Sequence, residues 1–399
     1  GRKPDAQSDN YAANSTISTS PEQCPQRPPL TNAASNRFLE LDFIRGICAV
    51  SVIFFHWRGN YANWIWDNTY FFGNAFFAVD IFFILSGFVM SHAYGAKIQE
   101  NKINLGSFAL LRFGRLYSLV VVGSICAVLT MRLLYNSGGV KTNDLFMNLF
   151  LFQGISGKPD GFIGVFWSIG IEFWVGLTLS YGAIRYKAYF INFLIVLALL
   201  FHFYGGKDSL FFGIDVGLIN WFVRRGLLGI GLGIIAYQIY LAYKDITFSD
   251  YAKRIMKVVF YALFIFIMFY MIAPRKSPPN INYAFLFILA SIMILLGALL
   301  KNQYKLLCAK WQSWLGDVSY SVYVYHQVVI WFTIPWIRSF NLDNVRSLII
   351  GGIFVLTVTL IVSHYSHKYI EKPAYKWFKG KIARAQKQDR VNCVMKILP

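Results

Sequence analysis

Three ionisable side chains lie in the first apolar stretch of the chain, where a buried charge is costly unless it has a partner or a function. Asp42, Arg45 and His56 occur in the segment LDFIRGICAVSVIFFHW. In an α-helix, eleven residues at about 100° each return His56 to within about 20° of the face carrying Arg45, about 16 Å further along the axis. Histidine is the side chain best suited to general base catalysis near neutral pH. The spacing makes His56 a candidate base and Arg45 a candidate contact for a charged substrate; the alternative is an interfacial histidine.

Two arginines three residues apart follow in the segment FALLRFGRLYSL. On a helix, Arg112 and Arg115 project from neighbouring positions of one face. A guanidinium group offers a planar fork of donors that matches phosphate geometry. The pair is therefore a candidate phosphate site, and ordinary anchoring of a helix end at the cytoplasmic side of a membrane is the alternative.

Two carboxylates also interrupt apolar segments. Ser168 and Glu172 lie one helical turn apart in FWSIGIEFW, and Asp80 lies in FFAVDIFFILSGF. Glu172 could orient a histidine or donate a proton, or it could form a structural ion pair with an arginine of another helix. Asp80 could pair with Arg45 or orient His56, and we favour a structural pairing.

A later apolar segment, LGDVSYSVYVYHQ, combines a histidine with a run of tyrosines. Tyr320, Tyr323 and His326 give this helix a hydroxyl-bearing side suited to a sugar-facing cavity. With Asp80 they are the candidate substrate-binding residues, although a core histidine satisfied by a tyrosine is an alternative for His326. The remaining histidines are interpreted as structural or interfacial: His92, His202, His364 and His367.

The elements that carry these residues are expected to span a membrane. About 56% of the residues are apolar and only 14% are charged, whereas about 25% are charged in ordinary soluble domains. At about 20 apolar residues per crossing, we predict an all-α polytopic protein with about ten transmembrane helices. These helices lie near 40–58, 76–94, 110–134, 164–184, 188–204, 219–243, 256–273, 283–300, 317–338 and 346–370, with a short apolar segment at 144–156.

The distribution of basic residues predicts the orientation. Lysine and arginine are more frequent in the even-numbered loops, which places those loops and both termini in the cytoplasm. We therefore expect a disordered cytoplasmic leader at 1–36, a transmembrane domain at 37–372 and a basic cytoplasmic tail at 373–399 that contacts membrane lipids. The bacterial inner membrane is the expected location.

Several function classes lose support. The net charge of +19 lies in loops and the tail instead of on one amphipathic face, so nucleic-acid binding is not expected. The five cysteines are scattered and suggest neither a disulfide framework nor a metal site. The glycines of GLLGIGLG follow no strand and are better explained by close helix packing than by dinucleotide binding. No Walker, Gly-x-Ser-x-Gly or His-Glu-x-x-His motif is present.

Six motifs, in order, resemble those of acyltransferase family 3, integral membrane O-acyltransferases that modify surface glycans. The resemblance covers about residues 37–372. The motifs are Arg45 with ten residues before His56, VDIFFILSGFV, Arg112-x-x-Arg115, FWSIGIEFW, GDVSYSVYVYH and EKPAYKWFK. One departure is Tyr117-Ser118, where many relatives have a proline.

The resemblance implies acetyl transfer from cytoplasmic acetyl-CoA, without a metal, to a sugar hydroxyl of a surface or lipid-linked glycan such as O-antigen. His56 would be the base or a transient acetyl acceptor, with Arg45 required beside it. The resemblance also implies that Arg112 and Arg115 hold the CoA phosphates. Glu172 would support the histidine or the acceptor, with Ser168 as a lesser partner.

Two other functions compete with this interpretation. A transporter or flippase would use the intramembrane charges as a proton or substrate path, but we find no inverted repeat in the sequence. A glycosyltransferase or polymerase of lipid-linked sugars would need acidic loops, which are scarce among only nineteen carboxylates.

Overall fold

A computed structural model describes residues 37–61, 71–136, 141–157, 161–205, 219–273, 282–301, 303, 310–340 and 344–397. Within these ranges the protein is α-helical, as predicted from its composition. The predicted leader at 1–36 lies outside the described residues.

Thirteen α-helices follow one another along the described chain. They are α1 (Leu39–Tyr61), α2 (Ala78–Gln99), α3 (Leu105–Tyr135), α4 (Thr142–Phe150), α5 (Trp167–Val175), α6 (Tyr181–Arg185), α7 (Tyr189–Gly205), α8 (Trp221–Tyr243), α9 (Asp250–Ile272), α10 (Tyr283–Leu299), α11 (Lys310–Ser339), α12 (Asn344–Ser366) and α13 (Lys372–Ile397). A π-helical segment, Gly176–Ser180, joins α5 to α6, and another, His367–Glu371, joins α12 to α13.

Five helical stretches of the described residues are long and apolar enough to cross a membrane. They are Ala75–Gln99, Leu105–Tyr135, Trp221–Tyr243, Asp250–Ile272 and Arg346–Ala385. Tyr189–Tyr204 and Tyr283–Leu299 are apolar but shorter. The protein is therefore an integral membrane protein, and the predicted number of ten crossings stays a prediction. The short apolar segment near 144–156 contains only the nine-residue helix α4, too short to cross.

Helices α3 and α9 begin earlier than their apolar stretches indicate, because polar side chains cap them. The Asn104 side chain accepts a hydrogen bond from the Ser107 amide at 2.8 Å, and α3 begins directly after it. Ser249 caps α9 in the same way through the Ala252 amide. Such caps satisfy amide groups that have no partner within the helix. Apolar periodicity alone places these starts several residues too late.

Helices α1 and α11 lie against each other through small residues. A Cβ atom on Gly46 would come within 2.7 Å of the Leu315 Cγ atom, and one on Gly316 would overlap the carbonyl group of Asp42. Glycine allows this close approach of two backbones, the usual way in which membrane helices pack. Helices α1 and α11, which carry the candidate residues Arg45, His56 and His326, are thus in close contact.

Helices α2 and α8 form a second close pair. A Cβ atom on Gly233 would overlap the Ile84 carbonyl oxygen, and one on Gly229 would lie 2.6 Å from the Phe83 Cβ atom. The glycines of GLLGIGLG therefore serve helix packing, as predicted.

Helix α13 continues the helical body beyond the predicted domain end at 372. Its Phe378 ring contacts Gly114 of α3 so closely that a Cβ atom on Gly114 would overlap it, and Ile382 is 8% exposed. The beginning of the predicted tail is thus a packed helix.

Candidate active site

His56 of α1 contacts a second histidine, His326 of α11. The Nδ1 atom of His56 lies 3.2 Å from the Nε2 atom of His326, and the ring centroids are 5.0 Å apart. The same Nδ1 atom lies 3.1 Å from the Val52 carbonyl oxygen, one turn earlier on α1. His326 is fully buried, and its Nδ1 atom lies 2.7 Å from the Tyr323 carbonyl oxygen. His56 is therefore held by protein on the Nδ1 side.

The pairing of these histidines was not predicted, although both were candidate site residues. Each histidine comes ten residues after a glycine of the α1–α11 contact, Gly46 or Gly316. Because the glycines meet and the histidines meet, the two helices run parallel in the same register. This repeated glycine-to-histidine spacing is the sequence signal that identifies the pair.

Glu172 of α5 forms an ion pair with Arg112 of α3. The Arg112 Nη2 atom donates to Glu172 Oε1 at 3.1 Å and to the Glu172 carbonyl oxygen at 3.2 Å. Ser86 of α2 donates to the same carboxylate oxygen at 2.6 Å. Among the described residues, no hydrogen bond or ion pair joins Glu172 to His56. The predicted alternative of an ion pair with an arginine of another helix is thus confirmed.

Arg112 and Arg115 lie in different environments despite their spacing. The Arg112 side chain is 3% exposed and is held by Glu172. Arg115 is half-buried and forms no hydrogen bond or ion pair with another described residue, although Glu172 and Glu371 act on it electrostatically. A half-buried guanidinium group in this state can accept an anionic ligand.

Two adjoining cavities lie beside Arg115. The cavity with the larger number of lining residues, named the main cavity, has a volume of about 200 Å³, and its lining includes Phe82, Ser86, Arg112, Ser168, Glu172 and Tyr323. The side cavity, of about 230 Å³, is lined by residues that include Gly316, Asp317, His367, Glu371 and Lys372. Both cavities are lined by Arg45, Arg115, Ser319, Tyr320 and Tyr375. The shared residues place two arginines, Arg45 and Arg115, beside both cavities.

Ser168 and Tyr323 form a buried hydroxyl pair in the wall of the main cavity. Tyr323 donates to the Val165 carbonyl oxygen at 2.8 Å, and the two hydroxyl oxygens lie 2.6 Å apart. The Phe82 ring packs edge-on against Tyr323, with ring centroids 5.9 Å apart. Because the Tyr323 carbonyl group contacts His326, Tyr323 connects the main cavity to the histidine pair.

Arg45 and His56, predicted to share one face of α1, do not both line the main cavity. Arg45 lines it and lies 3.4 Å from Asp42, whereas His56 is not among its lining residues. Tyr323 lines the main cavity and also contacts His326, with ring centroids 5.6 Å apart, and the joint role of Arg45 and His56 stays a prediction.

Tyr320 lines both cavities, and its hydroxyl group donates to the Leu116 carbonyl oxygen at 2.7 Å. Of the three side chains of α11 that were predicted to face a cavity, Tyr320 and Tyr323 line the main cavity. His326 does not line it.

Asp80 belongs to a separate buried cluster. The Arg225 guanidinium group of α8 donates to both Asp80 carboxylate oxygens at 2.9 Å, and the Tyr283 hydroxyl group donates to Oδ2. Asp80 is 0% exposed and is not among the residues lining either cavity. The expected structural pairing is confirmed, but Arg45 and His56 were the wrong partners because Asp80 faces α8 and α10.

Sequence reasoning missed the contribution of the last helices. Tyr375 lines both cavities, and Lys372 and His367 line the side cavity. Glu371 is held by His367 at 2.9 Å and by Ser321 at 3.0 Å. The motif EKPAYKWFK, identified only as a mark of resemblance, supplies three of these residues.

Among the described residues, no group of three or more His, Cys, Asp and Glu side chains could hold a metal ion. The expectation of metal-free chemistry stays a prediction.

Comparison with known proteins identifies a family whose sequence profile matches this chain. The profile of a family described as an acyltransferase domain matches residues 38–365. That range contains every candidate site residue predicted from the sequence.

Two curated proteins are similar in sequence. "Protein 2 in picA locus" of Rhizobium radiobacter is 39% identical over 97 residues, which are 23% of this chain and 45% of that protein. The Bacillus subtilis (strain 168) protein YrhL, provisionally named a peptidoglycan O-acetyltransferase, is 25% identical over 371 residues, 84% of this chain and 54% of that protein. The chain thus spans about half the length of these relatives. No solved structure matches significantly.

Proposed function

The chain belongs to this acyltransferase family, and on that premise we propose that it transfers an acetyl group from cytoplasmic acetyl-CoA to a sugar hydroxyl of a surface or lipid-linked glycan. The observation that carries the proposal is the arrangement of Arg115, Tyr323 and His56. Arg115 is a half-buried cation beside both cavities. Tyr323 lines the main cavity and contacts His326, which is paired with His56.

The cationic groups beside the cavities suit the donor. Arg45, Arg115 and Lys372 line the side cavity and would bind the phosphates of CoA. Arg112 is already neutralised by Glu172, so its role is to shape the main cavity with Ser86. Of the two arginines in the predicted phosphate site, Arg115 therefore carries the larger share of donor binding. Tyr320 and Ser168 would contact the part of the donor that reaches the main cavity.

His56 is the proposed base. The proton of the acceptor hydroxyl moves to Nε2 of His56, and the hydroxyl oxygen forms an ester bond to the acetyl carbonyl carbon as the carbon–sulfur bond of the thioester breaks. The departing CoA thiolate takes the proton from Nε2, which restores neutral His56 and releases CoA as a thiol. For this step the acceptor hydroxyl group must reach His56, which does not line the main cavity; the Tyr323 ring, which does, lies 5.6 Å from the His326 ring, measured between centroids.

The membrane arrangement follows the same proposal. Ten crossings result when α1, α5 with α6, α7, α10 and α11 are added to the five stretches that qualify by length and composition. Both termini then lie on the cytoplasmic side of a bacterial inner membrane. The leader before residue 37 and the basic tail are therefore on the same side. In this proposed orientation the N-terminal ends of α1, α3 and α11 are cytoplasmic, and the side cavity beside them would be open to cytoplasmic acetyl-CoA.

The acceptor class is supported by one relative. The Bacillus subtilis relative is provisionally named for O-acetylation of peptidoglycan, which is a glycan. For this chain we propose a polysaccharide acceptor of the same general kind, such as O-antigen, exopolysaccharide or its lipid-linked precursor.

The test compares the surface glycans of the host with and without the gene by mass spectrometry. Wild-type protein should add the mass of one acetyl group, and His56→Ala and Arg45→Ala should abolish that addition while the proteins still insert in the membrane. His364→Ala is the matched control, because His364 is exposed on α12 and its ring contacts Trp314 and Tyr365 instead of the site residues. Acetylation that persists in the His56→Ala strain would contradict the proposal. An unacetylated glycan precursor that accumulates without the gene would favour a flippase.

A further inference from the structure

The hydrogen-bond partners of the two histidines determine where their protons are. A backbone carbonyl oxygen can only accept, so the 2.7 Å contact between His326 Nδ1 and the Tyr323 carbonyl group requires a proton on Nδ1 of His326. In neutral His326, the Nε2 atom then carries a lone pair. It faces Nδ1 of His56 at 3.2 Å.

The hydrogen bond between His56 and Val52 independently gives the position of the proton on His56. Nδ1 of His56 lies 3.1 Å from the Val52 carbonyl oxygen, which also only accepts. Nδ1 of His56 therefore carries a proton, which it shares between the Val52 oxygen and Nε2 of His326. In neutral His56 the lone pair is consequently on Nε2, the nitrogen remote from the Val52 oxygen and from His326.

We propose that His326 is a positioning residue for acyl transfer, whose Nε2 atom accepts the Nδ1 proton of His56 and keeps Nε2 of His56 as the basic nitrogen. This role rests on the proposed function of His56. It replaces the substrate-binding role predicted for His326 from the sequence, and burial supports the change because His326 is 0% exposed and lines neither cavity.

The arrangement has a chemical advantage over a lone histidine. When Nε2 of His56 takes the acceptor proton, the ring becomes a cation and its Nδ1–H becomes a stronger donor. A neutral imidazole acceptor on another helix stabilises that cation and prevents rotation of the ring. An aspartate plays this part in the Ser-His-Asp triad, whereas here the partner is neutral, which avoids burying another charge.

The test uses three replacements of His326 in the full chain. His326→Gln places an amide oxygen near the position of Nε2 and preserves an acceptor, whereas His326→Asn is too short to reach it and His326→Phe fills the space without an acceptor. We expect His326→Phe and His326→Asn to lower kcat for acetyl transfer about 100-fold. His326→Gln should have a kcat at least about ten times that of His326→Asn. KM for acetyl-CoA should stay within about threefold, because the donor contacts lie elsewhere.

A purely structural role would give a different pattern. It would reduce CoA binding and thermal stability together with kcat, and His326→Gln would be no better than His326→Asn. Either that pattern or a wild-type kcat in His326→Asn overturns the positioning role and leaves the proposed function intact. Retained transfer in His56→Ala overturns both. Where His326→Phe does not accumulate in the membrane, the comparison of Gln with Asn decides the question alone.

Discussion

Gly46 on α1 lies so close to Gly316 on α11 that a Cβ atom on Gly46 would come within 3.1 Å of the Gly316 amide nitrogen. This contact sets the register of the two helices that carry His56 and His326, ten residues further along each. A change at the glycines should therefore reach the histidines, about 15 Å away along the axes.

We expect Gly316→Ala to separate α1 from α11, because the added methyl group overlaps the Asp42 carbonyl group. Overpacking of this kind costs about 1–3 kcal/mol, and acetyl transfer should fall at least tenfold, since a small displacement of a catalytic group is enough. Thermal unfolding in detergent and transfer assays measure the two effects. Gly182→Ala is the control, because nothing lies within 4 Å of the position of its Cβ atom. Equal losses in both variants would argue against a specific helix contact.

Arg115→Ala should weaken binding of CoA without unfolding the protein. Hydrogen bonds between charged groups contribute about 1.5–3 kcal/mol, which corresponds to a roughly 10- to 150-fold rise in Kd. Titration calorimetry of the protein in nanodiscs with CoA gives the value. Arg132→Ala, in the last turn of the same helix, should leave Kd unchanged. A Kd that does not change in Arg115→Ala would remove this arginine from the donor site.

Glu172→Ala should destabilise the protein strongly. It leaves the Arg112 guanidinium group, 3% exposed, without its carboxylate, and a broken buried pair costs about 3–5 kcal/mol. The midpoint of thermal unfolding should fall accordingly. Glu100→Ala removes the exposed pair with Lys102 and should change stability by less than about 1 kcal/mol. A similar small effect for both substitutions would mean that Glu172 is not needed to balance Arg112.

The Asp80–Arg225 pair should behave as a structural element. Asp80→Ala leaves Arg225 buried and unpaired and should reduce the amount of folded protein. The double variant Asp80→Leu/Arg225→Met removes both charges and should recover folding together with acetyl transfer. Glycan mass spectrometry of cells carrying each variant reports both. A folded but inactive double variant would instead place Asp80 in the reaction.

Side-chain type and helical periodicity were enough to select candidate residues for this site. Burial of charge in an apolar segment identified Arg45, His56 and Glu172, because such groups are rare without a reason. Apolar run lengths gave the helical class and most helix positions. They missed the start of α9 by several residues, since Ser249 caps a polar first turn that contains no apolar signal.

The partners of the buried charges could not be predicted from the sequence. Asp80 and Arg225 are 145 residues apart, and their pairing depends on glycines that bring α2 and α8 together. The contact between His56 and His326 likewise spans 270 residues. Helical periodicity specifies which face a residue occupies, but the neighbouring helix that meets that face is set by packing between helices.

The most direct test of the central claim is acetyl transfer by purified protein in nanodiscs, with radiolabelled acetyl-CoA and the lipid-linked oligosaccharide fraction of the host. Wild-type protein should move label into an alkali-labile ester on the glycan, and His56→Ala should do so at least 100-fold more slowly while binding CoA with the wild-type Kd. Transfer at the wild-type rate by His56→Ala would contradict the account.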